Sequence, residues 1–522
     1  MIDPLGVVVL VGTLVVAGSW AAPWLRLPAP LLHLFLGLLS GFVPAVREIH
    51  LPAEVVLVLF LPALLFWEAF TTPLREVRRD MRVILLLSTL LVVATAYGVA
   101  GAGVALGWSW MAALVLGAAL APTDATAVGG LARALPHRNA IQLRAESLVN
   151  DGTALVMFTI TAGVAVSGVS LTGWQVTGLI VLAYLGGGAI GLAAGLLGTL
   201  VLKRLPDAIT ANAAMVLLPF AAFLAAEQMH ASGVIAVVVA GLVISQTVPR
   251  TGTAQSRQQM TSFWTLTTRS LNGALFVLIG IEAQSAVRAV PAASLPGLLL
   301  FCGIAWIVLL LIRFVFQVLT AWLLRLVDRR PSQRGRRMSH RARVVSTIAG
   351  FRGAVSLAVA LAVPSGIPGH DQIVFVATGV VVLTLTVQGV LLPWAIRWGR
   401  FEPDTAMADE LSTAQRRSTL AALEAVDDLA LRVGAPDPVR DRLMGEYRDR
   451  LRRIDGAGDG SDPSLWAADP EYAALGLAVL EHKRSVLIGM RDGKAISDTT
   501  LRVLQTRIDR DVLRLAPPPP IE

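Results

Sequence analysis

The chain has 522 residues, 55% hydrophobic and only 15% charged, whereas a soluble globular domain carries roughly a quarter charged residues. Its formal net charge of +8 is uneven: residues 1–400 hold 27 Lys or Arg against 14 Asp or Glu, and residues 401–522 hold 17 against 22. The basic residues sit in short gaps between apolar runs of membrane-spanning length, which argues against a nucleic-acid-binding protein, and the single cysteine, Cys302, rules out an internal disulfide.

A membrane helix needs about 20 mostly apolar residues. The first apolar run, 5–22, follows Asp3 without the basic segment of a cleavable leader, so it reads as a retained span. Further spans are expected near 30–46 (short, and containing His33), 52–70, 83–106, 109–133, 139–167, 173–202, 208–228, 231–248, 266–287, 295–324, 342–364 and 371–396, thirteen in all. The odd gaps and the exit from the last span hold 21 Lys or Arg, whereas the even gaps hold only Arg47 and Arg288. Cytoplasmic loops are enriched in these residues. The N-terminus is therefore expected outside and the chain after residue 400 inside.

An ionisable group inside a span costs at least ~2.5–3.5 kcal/mol on insertion scales and is a functional candidate by default. The first is Glu68, six residues after Pro62, which either lines an ion path or binds an inner-side partner. The fifth span contains Pro122, Thr123 and Asp124. Proline removes an intrahelical hydrogen bond and disfavours helix just before it, so a break is expected there, with Asp124 capping freed N–H groups and Thr123 offering oxygens to a cation.

The sixth span is the densest. Ser147 and Asp151 are four residues apart and share a helix face, and Glu146 and Asn150 do the same on the adjacent face. Carboxylate, hydroxyl and amide oxygens are the hard donors that a partly dehydrated Na⁺ takes; the alternative is a polar seam between helices. Arg313 lies among Leu and Ile and suits a structural pair. In the twelfth span Arg352 is flanked by Gly350 and Gly353, which permit a close approach or a second break. Its expected partner is Glu146. Residues 401–522 read as a soluble helical tail, with helices near 408–433, 438–454, 464–490 and 495–515. The tail has no metal spacing, phosphate loop or catalytic constellation, and nothing in it names a partner.

The run Glu146-Ser-Leu-Val-Asn150-Asp151-Gly-Thr-Ala resembles the cation:proton antiporter-1 family of sodium/proton exchangers. So do Pro122-Thr-Asp-Ala-Thr-Ala, Gly350-Phe-Arg-Gly-Ala-Val-Ser, Leu275-Phe-Val-Leu-Ile-Gly280 and Thr386-Val-Gln388-Gly389. Two departures are Ala63 after Pro62, where the family carries a second proline, and Ala145 before Glu146, where it commonly carries glycine. The resemblance covers about residues 1–400. It implies an all-α polytopic protein of the inner (plasma) membrane, with thirteen helices in two inverted six-helix repeats. It also implies broken crossing helices and a homodimer whose core moves like an elevator.

Under that resemblance Asp151 alternately binds cation and proton, and Asn150 is its fixed partner. Ser147, Thr123 and Glu68 complete or flank the ion shell, and Glu146 and Arg352 form a buried pair. The implied activity is exchange of Na⁺, with Li⁺ or K⁺ as alternatives, for H⁺ by alternating access. One acid at the site points to electroneutral exchange. No cofactor and no enzymatic reaction are expected. A cation channel, or a sensor that signals through the tail, is the competing class.

Overall fold

In lipid every backbone N–H and C=O must be satisfied within the protein, which leaves the helix as the form that long apolar runs take. A computed structural model of the chain describes residues 4–25, 27–44, 46, 53–124, 137–168, 172–205, 207–327, 339–401, 405–456 and 469–515. Among the described residues there are helices and no strand. Nine helices there are long and apolar enough to cross a membrane, and shorter apolar helices occupy Ala29–Ser40, Val58–Thr71 and Trp110–Leu120. The part of the fifth predicted span after Asp124, with Thr126 and Arg133, lies outside the described residues, as do residues 47–52, 328–338 and 517–520.

The helices sort by packing into two bundles. One contains α1 (Pro4–Leu25), α2 (Ala29–Ser40), α3 (Ala53–Thr71), α7 (Gly173–Arg204), α8 (Ala208–Gln228), α9 (Gly233–Thr251) and α10 (Ala254–Ala289). The other contains α4 (Leu74–Ala105), α5 (Trp110–Leu120), α6 (His137–Ser167), α11 (Leu295–Val327), α12 (His340–Ile348), α13 (Ala354–Leu361), α14 (His370–Leu383) and α15 (Gly389–Gly399). His33 is buried where α1 meets α2, its Nε2 3.2 Å from Ser19 Oγ and 3.1 Å from the Val15 carbonyl. That is a packing role.

Two elements in the second bundle are interrupted. Helix α5, capped at its start by the Ser109 side chain, stops at Leu120, two residues before Pro122. The predicted twelfth span is two short helices, α12 and α13, separated by non-helical backbone at 350–353. The thirteenth runs from α14 through one π turn, Thr384–Gln388, into α15. Single π turns are frequent at functional sites.

Helix α10 begins twelve residues before the expected 266–287. Its polar first turns are helical because they pack on protein rather than lipid. Trp264 is buried and stacks on Trp67 of α3, with ring centroids 5.9 Å apart. Arg257 forms a two-pronged ion pair with Asp509, at 2.8 and 2.5 Å.

The last four helices, α16 (Thr405–Val433), α17 (Asp437–Asp455), α18 (Pro470–Asp492) and α19 (Asp498–Leu515), lie close to the bounds read from sequence. Gly434 ends α16 in the left-handed region, at φ +73°. These helices share an apolar core of their own, built on Leu443, Tyr472, Leu475, Val479 and Leu504. Helix α19 also docks on the ends of α3, α4, α9 and α10. Arg502 donates to the Phe70 carbonyl at 2.6 Å, Gln505 to the Pro249 carbonyl at 2.9 Å, and Asp498 accepts from the Arg75 N–H at 3.1 Å.

Candidate cation and proton site

The ends of a broken helix leave backbone donors and acceptors without intrahelical partners, and here the two breaks supply each other. The Asp124 N–H donates to the Phe351 carbonyl at 2.8 Å, so the two interrupted segments cross and join backbone to backbone. The Arg352 guanidinium donates through Nη1 to the carbonyls of Ala121 and Pro122, at 2.8 and 2.7 Å. It thus places a positive charge at the carbonyl end of α5, where the helix dipole is negative. Ser356 adds a hydroxyl to the Pro122 carbonyl at 3.2 Å.

Asp124 does the converse. Its carboxylate lies against the Cα of Gly353, the residue that caps the N-terminus of α13, so a negative charge meets the positive end of that helix. Asp124 thus faces the start of the partner element. Gly353 permits it, since a Cβ there would stand 1.8 Å from Asp124 Oδ2.

Helix α6 passes this crossing and fastens to it by the residues singled out in the sequence. Ser147 Oγ donates to the Thr123 carbonyl at 2.6 Å, and Asn150 Nδ2 donates to Thr123 Oγ1 at 2.8 Å. Asn150 is fully buried and Asp151 is 3% exposed. Asp151 feels the charges of Glu68, Asp124 and Arg352. Glu68 thus belongs to the same electrostatic group, although it comes from α3 in the other bundle. Asp151 Oδ1, Asn150 Oδ1 and Glu68 Oε1 are all buried and have no hydrogen-bond partner among the described residues. A buried acceptor without a donor is costly. The two carboxylate oxygens can accept a proton or a cation, and the amide oxygen can accept a cation.

One expected pairing is corrected. Glu146 does not pair with Arg352; its Oε1 lies 2.7 Å from Nη1 of Arg313, an ion pair not aligned as a hydrogen bond. The physical reason is the break at 122. The freed carbonyls of Ala121 and Pro122 draw in Arg352, while Arg313 reaches Glu146 and also donates to the Ser346 carbonyl at 3.1 Å, at the end of α12. Glu146 lines a small cavity of about 10 Å³ with Asn139, Gln142 and Ser346.

Sequence reasoning missed Thr384. Its Oγ1 lies 3.4 Å from the Arg352 N–H and 3.3 Å from the Arg352 carbonyl, so the π turn steadies the second break. A hydroxyl among valines and leucines carried no signal of that role.

Crossed, interrupted helices that carry opposite charges beside a buried carboxylate are an arrangement found in secondary transporters. Comparison with known proteins bears on the same point. The family model for the sodium/hydrogen exchanger transmembrane region matches residues 9–398. An uncharacterized Na(+)/H(+) exchanger of Mycobacterium tuberculosis is 40% identical over 98% of this chain and 97% of its own length. A sodium, potassium, lithium and rubidium/H(+) antiporter of Bacillus subtilis is 27% identical, over 92% of this chain and 74% of its own. Among solved structures, the sodium proton antiporter MjNhaP1 of Methanocaldococcus jannaschii shares the fold, with a TM-score of 0.58 at 20% identity, over 76% of this chain and 99% of that one.

The chain belongs to the sodium/hydrogen exchanger family. It is accordingly a multi-pass protein of the inner (plasma) membrane and a member of a family of cation/proton antiporters, as the resemblance implied.

Proposed function

We propose that this chain exchanges Na⁺ for H⁺ at Asp151, with cation and proton competing for one carboxylate. The observation that carries the reading is the set of acceptor oxygens, Asp151 Oδ1, Asn150 Oδ1 and Glu68 Oε1, buried without donors next to the crossed breaks. A cation on Asp151 requires the carboxylate ionised, and a proton removes that charge, so the two occupants exclude one another. Either filled state is near neutral and can cross an apolar barrier, whereas the empty carboxylate is charged and held back. That exclusion enforces exchange without any other energy source.

Ser147 and Thr123, the other cation ligands in this reading, are engaged with each other and with Asn150. They hold the crossing in place and offer lone pairs to the cation. With Asn150 rather than a second acid beside Asp151, and Asp151 the one carboxyl that gives up and regains its proton in this reading, one proton moves per cation, hence electroneutral exchange. Thirteen crossings in two inverted repeats, a homodimer with a moving core bundle, and a cytoplasmic tail complete the proposal. No cofactor takes part. The Bacillus relative's name makes K⁺ and Li⁺ alternative cargoes, since hard oxygen donors alone do not choose among these ions.

Everted vesicles that contain the chain and a pH dye test this reading. Adding Na⁺ should dissipate an imposed proton gradient, at a rate unchanged by a potential set with K⁺ and valinomycin. Cation flux without proton movement would instead identify a channel, and absence of any flux a sensor. A steep dependence on potential would refute electroneutrality.

A further inference from the structure

A second cavity, of about 430 Å³, lies away from the ion site, where the ends of α7 and α9 meet the start of α4 and the end of α18. Arg75, Lys203, Arg250 and Arg491 line it, together with Thr247 and Thr251. Its size falls within the range of small-ligand sites. Four cations from four helices repel one another, and the described carboxylates offset only part of their charge. Asp492 serves three of them, at 3.1 Å from Arg75, 2.5 Å from Arg250 and 3.0 Å from Arg491, and Asp498 stands 3.9 Å from Arg75. Lys203 has no carboxylate within ion-pair distance among the described residues. Two positive charges therefore remain in excess. Arg491 is only 2% exposed, so its guanidinium is a built part of the wall.

We propose that this cavity binds an anionic phosphate group, carried by a membrane phospholipid or by a soluble phosphate compound. Arginine forks and a lysine point charge match phosphate oxygens, and the threonines can add hydroxyl donors. Just above Lys203, Leu196, Leu197, Leu200 and Val201 of α7 are exposed, which gives acyl chains a surface beside the headgroup. An occupant ties the tail, through Arg491, to the ion-site bundle, through Arg75, and to the other bundle, through Lys203 and Arg250. None of this depends on which cation the chain exchanges.

The test is thermal unfolding of the purified full-length chain in neutral detergent. It is titrated with dioleoylphosphatidylglycerol, with dioleoylphosphatidylcholine, or with inorganic pyrophosphate. The anionic lipid, pyrophosphate or both should raise the melting temperature, and phosphatidylcholine should not. A response to lipid alone names the membrane source, and a response to pyrophosphate names the soluble one. Lys203→Gln and Arg250→Gln should each weaken the response about tenfold, as loss of one charge-assisted contact does. Lys203 has no ion pair among the described residues to lose, and the Arg250 bridge is exposed. Both variants should therefore melt near the wild type when no phosphate is present. No shift with either anion, an equal shift with phosphatidylcholine, or a full shift in the double variant would overturn the proposal.

Discussion

Arg313 and Arg352 are both buried, yet they answer different needs. Arg352 serves backbone carbonyls, whereas Arg313 balances a carboxylate. Removing one member of a buried pair strands a charge and typically costs about 3–5 kcal/mol, while removing both costs much less. Arg313→Gln and Glu146→Gln should each lower the melting temperature in detergent more than the double variant does. A double variant no more stable than the single ones would show that the 2.7 Å contact contributes nothing. Arg352→Gln should also destabilise, because its loss removes the guanidinium from the Ala121 carbonyl and leaves the Pro122 carbonyl with the Ser356 hydroxyl alone.

The helices themselves were largely legible in the sequence, and the site only in part. Pro122 announced the first break, and the spacing of Ser147, Asn150 and Asp151 placed them on adjacent faces of one helix, from which Ser147 and Asn150 reach it. The reciprocal arrangement was not legible. That Asp124 faces the start of α13, and that Arg352 donates to the carbonyls at the end of α5, depends on which distant segments cross, and local spacing carries no such information. The same holds for Arg313 and Thr384, whose partners at the site lie 32 or more residues away. The early start of α10 was missed because its first turns bury polar groups against protein, outside the apolar pattern of a span. At this scale Gly353 is the sharpest test. A methyl group there would meet Asp124 Oδ2 at 1.8 Å and its Cβ at 2.4 Å, near the rigid base of that side chain. Gly353→Ala should force the crossing apart, cost about 1–3 kcal/mol of stability, and remove most exchange activity. Wild-type transport in that variant would mean that the contact between the two breaks is dispensable.

Across the whole molecule, the tail is latched to the transport helices by ionisable groups, and its docking should respond to pH. Burial, and then the carboxylates of Asp498 and Glu410, push the Glu76 carboxyl up from the ordinary 4.5 to about 7, against the opposing pull of a Thr499 hydrogen bond and Arg502. The docked state therefore holds that proton more tightly than the undocked one. The resulting preference for docking is fully present below about pH 4.5 and is lost as pH rises through 7. Hydrogen exchange in α19, corrected for intrinsic rates, should become faster relative to the transport helices across that interval, and Glu76→Gln should flatten the response. An unchanged pH dependence in Glu76→Gln would assign the effect to other groups.

The most direct measurement of the exchange itself is radioactive sodium uptake into proteoliposomes under an imposed pH gradient, for the wild-type chain and for Asp151→Asn. Competition at one carboxylate predicts that wild-type uptake follows the gradient and that a lower pH on the sodium side raises the sodium concentration needed for half-maximal rate. Asp151→Asn, folded as judged by an unchanged elution profile, should take up none above empty liposomes. Coupled uptake by Asp151→Asn at the wild-type rate would contradict the account.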